Sequence, residues 1–261
     1  MQTKIRLFKK VPVESNNFID HKETHYNNLF LSNNHHLHMQ HNHLLEQFDI
    51  KILDQSICAC NLKDIENRME HIKFEGNSVL KISNIYSNPY AVRKLISQLP
   101  HVINKSSNQS YYPGFIAECP NLNLNELNKI VKKAIVTYFP QSGFKVNKHQ
   151  GDIIFQTGIF TQKHLISDQL PLIPHVDSKR GFAGVIYLNY PEEYNGGTAF
   201  FKKNETTKEF EYLYKNKMEF NTLILYQSET FHGFYLDTPD AFSDSFRITQ
   251  RFFVTIDGGH D

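Results

Sequence analysis

Apolar and polar positions change period along the chain, from helical spacing to strand-like alternation. Residues 79–86 alternate between apolar and polar side chains, which predicts a short strand. Residues 89–99 place apolar side chains three and four positions apart, which predicts an amphipathic helix that Asn88 caps. The same spacing predicts a second helix over residues 124–139.

The second half of the chain contains short runs of two-residue alternation that are separated by turn residues. These runs cover residues 152–158, 184–188, 198–201, 209–214, 222–226 and 246–256. Many short strands at such spacing are typical of a sandwich or barrel. The sequence therefore predicts an α+β fold in which helices pack outside a β-core within residues 76–261. Residues 1–75 are expected to form an N-terminal extension that adds strands or loops.

Composition and charge fit a globular chain and argue against two classes of partner. The chain has 261 residues, of which 40% are hydrophobic and 21% charged, so it is long enough to bury its own core. Its 28 basic and 27 acidic residues leave a net charge of +1, which argues against a nucleic-acid partner. It has no uninterrupted apolar window of about 18 residues, so no membrane partner is expected.

Cysteine usage and the N-terminal residues indicate a reducing compartment. Cys58, Cys60 and Cys119 are too few, and odd in number, for a disulfide framework. The first residues lack the apolar segment of a secretory signal. We therefore expect a cytoplasmic protein, and the sequence leaves its oligomeric state open.

A histidine-rich segment lies near the N-terminus, with seven histidines between His21 and His43. Metal capture is one interpretation of this segment. The preferred interpretation is a polar surface segment of biased composition, because the spacing fits no tetrahedral zinc pattern.

The strongest candidate for chemistry is the segment Pro-His-Val-Asp-Ser at residues 174–178. In a strand, His175 and Asp177 lie on one face and present an imidazole and a carboxylate to the same point. His232 follows a predicted strand and precedes Gly233, where a tight turn is expected, and it can supply a third ligand. Two imidazoles and one carboxylate leave open positions on an octahedral Fe(II) ion, as non-haem oxygenases require.

Arg247 and Thr249 share one face of the last predicted strand. The planar guanidinium matches a carboxylate with two hydrogen bonds, and the neighbouring hydroxyl can add a third. A guanidinium buried inside a barrel needs an anionic partner, which a bound dicarboxylate supplies. The alternative is that Arg247 and Arg251 both lie on the solvent face, which fits Arg251 better than Arg247.

The order of these residues resembles that of the Fe(II)/2-oxoglutarate-dependent dioxygenases, in which His-x-Asp, a distal His and Arg-x-Thr follow one another. Residues 184–200, with a Tyr-Leu-Asn strand, an acidic turn and Gly-Gly, are similar to the prolyl-4-hydroxylase-like branch. Residues 85–99 and 112–115 resemble an uncharacterised bacterial subgroup of oxygenases. The resemblance covers roughly residues 80–256 and does not extend to residues 1–75.

The resemblance implies a double-stranded β-helix core, of the jelly-roll or cupin type, with helices packed on one sheet. It implies Fe(II) held at the catalytic centre by His175, Asp177 and His232, with 2-oxoglutarate as co-substrate and O₂ as oxidant. It further implies that Arg247, assisted by Thr249, binds the distal carboxylate of 2-oxoglutarate.

A further contact to that carboxylate is expected from Tyr187, Gln156 or Tyr226, and the sequence does not choose among them. Prolyl hydroxylases commonly use Lys at the position of Arg247. This difference argues against a prolyl substrate for this chain. The expected reaction is hydroxylation of an unactivated C–H in a small, amino-acid-derived or peptidyl substrate, with succinate and CO₂ as co-products. Desaturation and ring closure stay open.

Two other functions are compatible with the same fold. A cupin-type metal enzyme would not use 2-oxoglutarate, but cupins usually carry His-x-His where this chain has His-x-Asp at residues 175–177. A catalytically silent binding protein would not need four convergent polar groups in its core.

Overall fold

The part of the chain that the structure describes contains two antiparallel sheets, two α-helices and three short 3₁₀-helices. The computed structural model describes residues 59–99, 101–103, 114–118, 125–145, 153, 155–160, 174–177 and 180–256. The histidine-rich segment, Cys58 and Cys119 lie outside these residues.

The helices and strands follow one another in an order that places both helices before most of the strands. In chain order they are β1 (Met69–Phe74), β2 (Asn77–Ile82), α1 (Pro89–Gln98), β3 (Val102–Ile103), β4 (Phe115–Glu118), α2 (Asn125–Tyr138), β5 (Phe155–Phe160), β6 (Gly181–Tyr187), β7 (Gly197–Lys203), β8 (Phe210–Lys217), β9 (Thr222–Gln227), β10 (His232–Tyr235) and β11 (Arg247–Thr255).

The larger sheet has eight strands in the order β1-β2-β9-β6-β11-β5-β4-β3, and the smaller has three in the order β10-β7-β8. The pairs between these strands are antiparallel. From β5 onward the chain passes repeatedly between the two sheets, and His175 extends the smaller sheet through a bridge to His232. Two facing antiparallel sheets that exchange strands in this way form a jelly roll.

The core lies in two layers, one on each side of the larger sheet. On one side, α1 and α2 pack apolar residues such as Leu95, Ile96 and Val131 against the strands. On the other side, the two sheets enclose a second cluster that includes Phe160, Tyr187, Phe200 and Tyr226. We call the space between the sheets the cleft. Because side chains alternate along a strand, each central strand contributes to both layers.

Both predicted helices are confirmed, with small changes at their ends. At the start of α1, the Asn88 side chain accepts a hydrogen bond from the Ala91 backbone N–H at 3.3 Å, and Pro89 occupies the first turn. Helix α2 buries the apolar face that its spacing predicted, including Leu127, Ile130 and Ile135.

Two features differ from the sequence analysis, and a third lies in the extension, for which strands or loops are expected. Strand β1 lies within the predicted extension and pairs with β2 through a turn at Glu75 and Gly76, whose φ angles are 34° and 79°. Strand β4 begins at Phe115, in a segment for which the sequence analysis predicts no strand. Gly233 continues β10 and makes no turn, because it pairs with Ala199 of β7. The boundary at residue 75 stays a prediction.

Candidate metal centre

Three side chains with metal-binding atoms meet at one edge of the cleft: His175, Asp177 and His232. One ligand atom from each lies within 4.8 Å of the others. Two reciprocal backbone hydrogen bonds, both 2.9 Å, join His175 to His232, and the Asp177 N–H donates to the Ser228 carbonyl at 2.9 Å. Backbone pairing therefore positions all three side chains.

The backbone of this site differs in one respect from the sequence prediction. His175 forms an isolated bridge, and Asp177 lies in a bend beyond it, so the two residues do not belong to a regular strand. Their ligand atoms still converge. His175 is the accessible member, with 56% of its side chain exposed, whereas Asp177 is 14% and His232 is 7% exposed.

His232 is held in the tautomer that a metal ligand needs. Its Nδ1 lies 2.9 Å from the Thr230 backbone carbonyl, which can only accept a hydrogen bond, so Nδ1 carries the proton. The other ring nitrogen, Nε2, is directed towards Asp177 and is the one that can bind a metal. A backbone carbonyl on the second imidazole nitrogen is the usual partner of a metal-ligating histidine. Sequence analysis did not identify Thr230, since its contribution comes from the backbone.

Asp177 has an oxygen that the described residues leave without a hydrogen bond. Its Oδ1 lies 3.6 Å from His175 Nε2, and its Oδ2 lies 3.2 Å from His232 Nε2 without hydrogen-bond geometry. Burial acts to raise the pKa of Asp177, but the two imidazoles outweigh burial and hold that pKa well below its usual value. The carboxylate is therefore ionised at neutral pH.

Aromatic rings enclose the buried side of the triad. The Tyr226 ring lies 4.6 Å from the His232 ring between centroids, and the Phe200 ring lies 6.5 Å from it. Burial, followed by the negative charge of Asp177, raises the pKa of Tyr226 well above its ordinary value, so its phenol stays protonated. The triad therefore has an apolar wall on the cleft side.

Arg247 lies in the same cleft and is 4% exposed. Its guanidinium carbon lies 5.5 to 5.8 Å from the ring centroids of Phe160, Tyr187 and Phe234. Its Nε has no hydrogen-bond partner, and among the described residues no carboxylate pairs with it. A buried cation without an anion is costly, so this position fits a bound anionic group.

The other residues predicted for the co-substrate lie at different depths in the cleft. Thr249 is 2% exposed and pairs with Tyr187 across the sheet. The Tyr187 hydroxyl donates to Thr198 Oγ1 at 2.7 Å, which ties the two sheets together. Gln156 is half-buried opposite Arg251. The choice among Tyr187, Gln156 and Tyr226 stays open.

The donor set and its surroundings fit a divalent transition metal. Two imidazoles and one carboxylate suit Fe(II) with open coordination positions. The unpartnered Asp177 Oδ2 and the fixed tautomer of His232 are features that a metal ion at this point would satisfy. The His175–Asp177–His232 convergence is therefore a possible metal site.

Comparison with known proteins places the chain in a family. The model of a family of unknown function, DUF6445, matches residues 63–209, which is more than half of the chain. The chain belongs to this family. No curated protein matches it. Membership assigns no activity, because the family has no known function.

Several solved structures are similar to the chain at low sequence identity. The carbocyclase SnoK from nogalamycin biosynthesis, described as non-haem and α-ketoglutarate-dependent, is 13% identical with a TM-score of 0.41, covering 68% of this chain and 79% of SnoK. The epimerase SnoN from the same biosynthesis is 10% identical with a TM-score of 0.39, covering 68% and 78%. AviO1 from Streptomyces viridochromogenes is 10% identical with a TM-score of 0.38, covering 78% and 98%. Similarity at this level assigns no role to residues of this chain.

None of the helices in the described part of the chain is long and apolar enough to cross a membrane.

Proposed function

We propose that this DUF6445 chain is an Fe(II)/2-oxoglutarate-dependent oxygenase that hydroxylates a C–H bond of a small, amino-acid-derived or peptidyl substrate. One observation carries the proposal: a His-Asp-His set with metal-binding geometry shares a cleft with a buried arginine that has no anionic partner among the described residues. A metal site alone would fit many enzymes. The unpaired cation adds a place for a carboxylate.

His175, Asp177 and His232 would hold the iron, which when bound supplies O₂ activation coupled to decarboxylation of 2-oxoglutarate to succinate and CO₂. Arg247 would bind the distal carboxylate of the co-substrate through its planar fork, and the Thr249 hydroxyl lies on the same strand face to assist. Both groups lie on β11, so one strand orients the co-substrate.

The cleft walls contribute by excluding water and by fixing the ligands. Tyr226 and Phe200 cover the buried side of the triad, which protects a reactive centre from side reactions. The Thr230 carbonyl accepts a hydrogen bond from His232 Nδ1, so Nε2 is the nitrogen that faces the metal position. A cupin-type enzyme that does not use 2-oxoglutarate gives no reason for Arg247.

Anaerobic titration with Fe(II) and then 2-oxoglutarate tests the proposal. We expect one iron per chain and a visible charge-transfer band that appears only when 2-oxoglutarate is added. Asp177→Ala should weaken iron binding by more than about 100-fold, because loss of an outer-shell partner alone typically costs 10- to 100-fold. Succinate release over a panel of amino acids and peptides then identifies the substrate.

The matched control is Asp244→Ala, which removes an exposed carboxylate outside the triad. It should bind iron and 2-oxoglutarate as the unmodified chain does. Equal iron affinity in Asp177→Ala would remove the metal centre, and iron binding without any 2-oxoglutarate effect would leave a metal protein of another class.

A further inference from the structure

The connection between β10 and β11 closes one end of the cleft. Strand β10 belongs to the smaller sheet and β11 to the larger, so residues 236–246 pass from one sheet to the other. Arg247 is the first residue of β11, so this passage lies at the end of the cleft that holds the guanidinium. We call residues 236–246 the crossover. The crossover is therefore next to the position proposed for the distal carboxylate of 2-oxoglutarate.

Two apolar side chains of the crossover are buried between the sheets. Residues 237–240 and 243–244 are exposed, whereas Ala241 and Phe242 are each 4% exposed. Both belong to the buried cluster that the two sheets enclose. Backbone hydrogen bonds of 3.3 and 3.1 Å within residues 238–243 fold the crossover around them. The crossover is thus a surface connection that inserts one aromatic ring into the cleft.

The backbone at Phe242 has an unusual conformation, with a φ angle of 61°. A positive φ is an outlier for a bulky residue, because the side chain then crowds the backbone. The other non-glycine residues with positive φ in the described part of the chain are all polar. Strained conformations of this kind persist only where their surroundings impose them, and they are concentrated at ligand sites. The packing of the Phe242 ring must therefore offset the strain in its backbone.

The contacts of Phe242 lead to Arg247. Its ring lies 6.0 Å from the ring of Phe160 between centroids, in an edge-to-face arrangement. Phe160 lies opposite Arg247 in the larger sheet, and its ring centroid is 5.5 Å from the guanidinium carbon. The Phe234 ring lies 5.0 Å from Phe160 and 5.7 Å from the same carbon. Because protein interiors are closely packed, the guanidinium cannot move towards the crossover while the Phe242 ring is in place.

The position of this guanidinium decides how long a bound acid can be. In the proposed function, one end of the 2-oxo acid binds at the triad and the other end at Arg247. An additional methylene group would move the distal carboxylate towards the crossover. The acid could then bind only if the guanidinium moved in the same direction.

We propose that Phe242 is a positioning residue that sets the length of the co-substrate. By holding Arg247 in place through Phe160, it admits the five-carbon 2-oxoglutarate and excludes the six-carbon 2-oxoadipate. This inference rests on the proposed function. One additional methylene in a closed apolar site changes discrimination by roughly 10- to 200-fold, so the effect is large enough to measure.

Isothermal titration calorimetry on the full chain, loaded with Zn(II) so that no turnover occurs, tests this inference. The probes are 2-oxoglutarate and 2-oxoadipate. We expect the unmodified chain to bind 2-oxoglutarate at least about ten-fold more tightly than 2-oxoadipate. Phe242→Ala should bring this ratio close to one, because the space left by the ring lets the guanidinium withdraw. A general loss of stability would weaken both acids equally and would not change the ratio.

Phe210→Ala serves as the matched control. It removes a half-buried ring of β8 that packs on Phe201 and Phe231, outside the cleft cluster. The ratio of the two affinities should stay as in the unmodified chain. If Phe242→Ala has no cooperative melting transition, Phe242→Gly replaces it, because glycine adopts a positive φ without strain.

The outcomes separate this inference from the proposal beneath it. Absence of 2-oxoglutarate binding in the unmodified chain overturns the proposed function and this inference with it. If 2-oxoglutarate binds but 2-oxoadipate binds equally tightly, or if the ratio survives in the Phe242 variant, only the assignment of Phe242 is overturned. Parallel loss of both acids in the variant also overturns it, since Phe242 would then only support the fold around Arg247.

Discussion

The two faces of β11 carry opposite chemistry. On the helix side, Ile248, Phe252 and Val254 join the core beneath α1 and α2. On the cleft side, the same nine-residue strand presents Arg247 and Arg251 at positions that an ordinary core would fill with apolar side chains. One face is built for stability, and the other holds groups that burial penalises.

This difference separates the face of β11 that stabilises the fold from the face that does not. Apolar burial stabilises a fold by roughly 25 cal/mol per Å², so the helix side follows from the hydrophobic effect. The Arg247 guanidinium is buried without an anion among the described residues, which destabilises the fold, and its apolar surroundings do not require a charge. The two faces should therefore respond differently to substitution.

The largest effect is expected on the helix side, from Phe252→Ala. Phe252 is fully buried, and its ring lies over Gly184 so closely that a Cβ added at Gly184 would come within 2.2 Å of the ring. Truncating such a phenylalanine costs about 3–5 kcal/mol through lost burial and a cavity. Urea unfolding measures the change. Iron and 2-oxoglutarate affinities of the folded fraction should not move.

The matched control is Phe253→Ala on the opposite face, where 45% of the side chain is exposed. Its cost should stay below about 1 kcal/mol, as for surface substitutions. A cost for Phe253→Ala that equals the cost for Phe252→Ala would erase the contrast between the two faces.

The next effect is expected on the cleft side, from Arg247→Met. Arg247 is a buried charge with no ion pair to any described residue, so replacing it by an apolar side chain of similar length should leave stability unchanged or raise it by about 1–2 kcal/mol. The unmodified chain should gain about 2.7 kcal/mol from 2-oxoglutarate at 100 times its dissociation constant, and the variant should lose that gain. Thermal unfolding with and without 2-oxoglutarate measures both.

The opposite result would be equally informative. If Arg247→Met destabilises the fold by more than about 2 kcal/mol while 2-oxoglutarate still stabilises it, Arg247 is a structural residue that its three aromatic neighbours hold in place. The co-substrate would then need another anchor, and Arg251 is the nearest alternative on the strand.

Local signals in the sequence predicted much of this molecule. Asn88 and Pro89 define the start of α1, and the alternation of residues 246–256 predicts β11. The spacing of His175 and Asp177 predicts that their side chains can converge, and the structure brings His232 to them. These predictions depend on residues that are close in sequence or on a known order of motifs.

The remaining features depend on partners distant in the chain. Strand β1 has no fully buried residue, so its apolar alternation is weak, and it forms because it pairs with β2 after the Glu75–Gly76 turn. Alternation shows that Arg251 shares a face with Arg247, but only the second sheet decides that this face is enclosed. The contact of the Thr230 carbonyl with His232 cannot be predicted from residue type, because any residue has a backbone carbonyl.

The smallest effect is expected where β11 begins, at a polar contact that belongs to neither face. Arg93 of α1 donates two hydrogen bonds to the Glu193 carboxylate, at 2.6 and 2.8 Å. The Asn189 side chain then links Glu193 to β11. Its Nδ2 donates a hydrogen bond to Glu193 at 3.2 Å, and its Oδ1 accepts one from the Ile248 backbone N–H at 2.8 Å. The ion pair therefore connects α1 to the start of β11.

Glu193→Gln should cost about 1 kcal/mol at pH 7, since both side chains are partly screened by solvent.

Burial acts to raise the pKa of Glu193, but hydrogen bonds from Arg93 and the Tyr190 backbone outweigh it and lower that pKa. A lowered pKa in the folded state stabilises above the unfolded value, about 4.3, and this contribution disappears as the pH falls through the folded value. The difference between the variant and the unmodified chain should therefore start to shrink below about pH 4 and vanish only below the folded pKa. Melting temperatures from pH 7 to 3 measure this, with Glu66→Gln as the control, because its exposed pair with Lys133 should contribute little. A stability difference that stays constant with pH would mean that Glu193 acts through packing and not through charge.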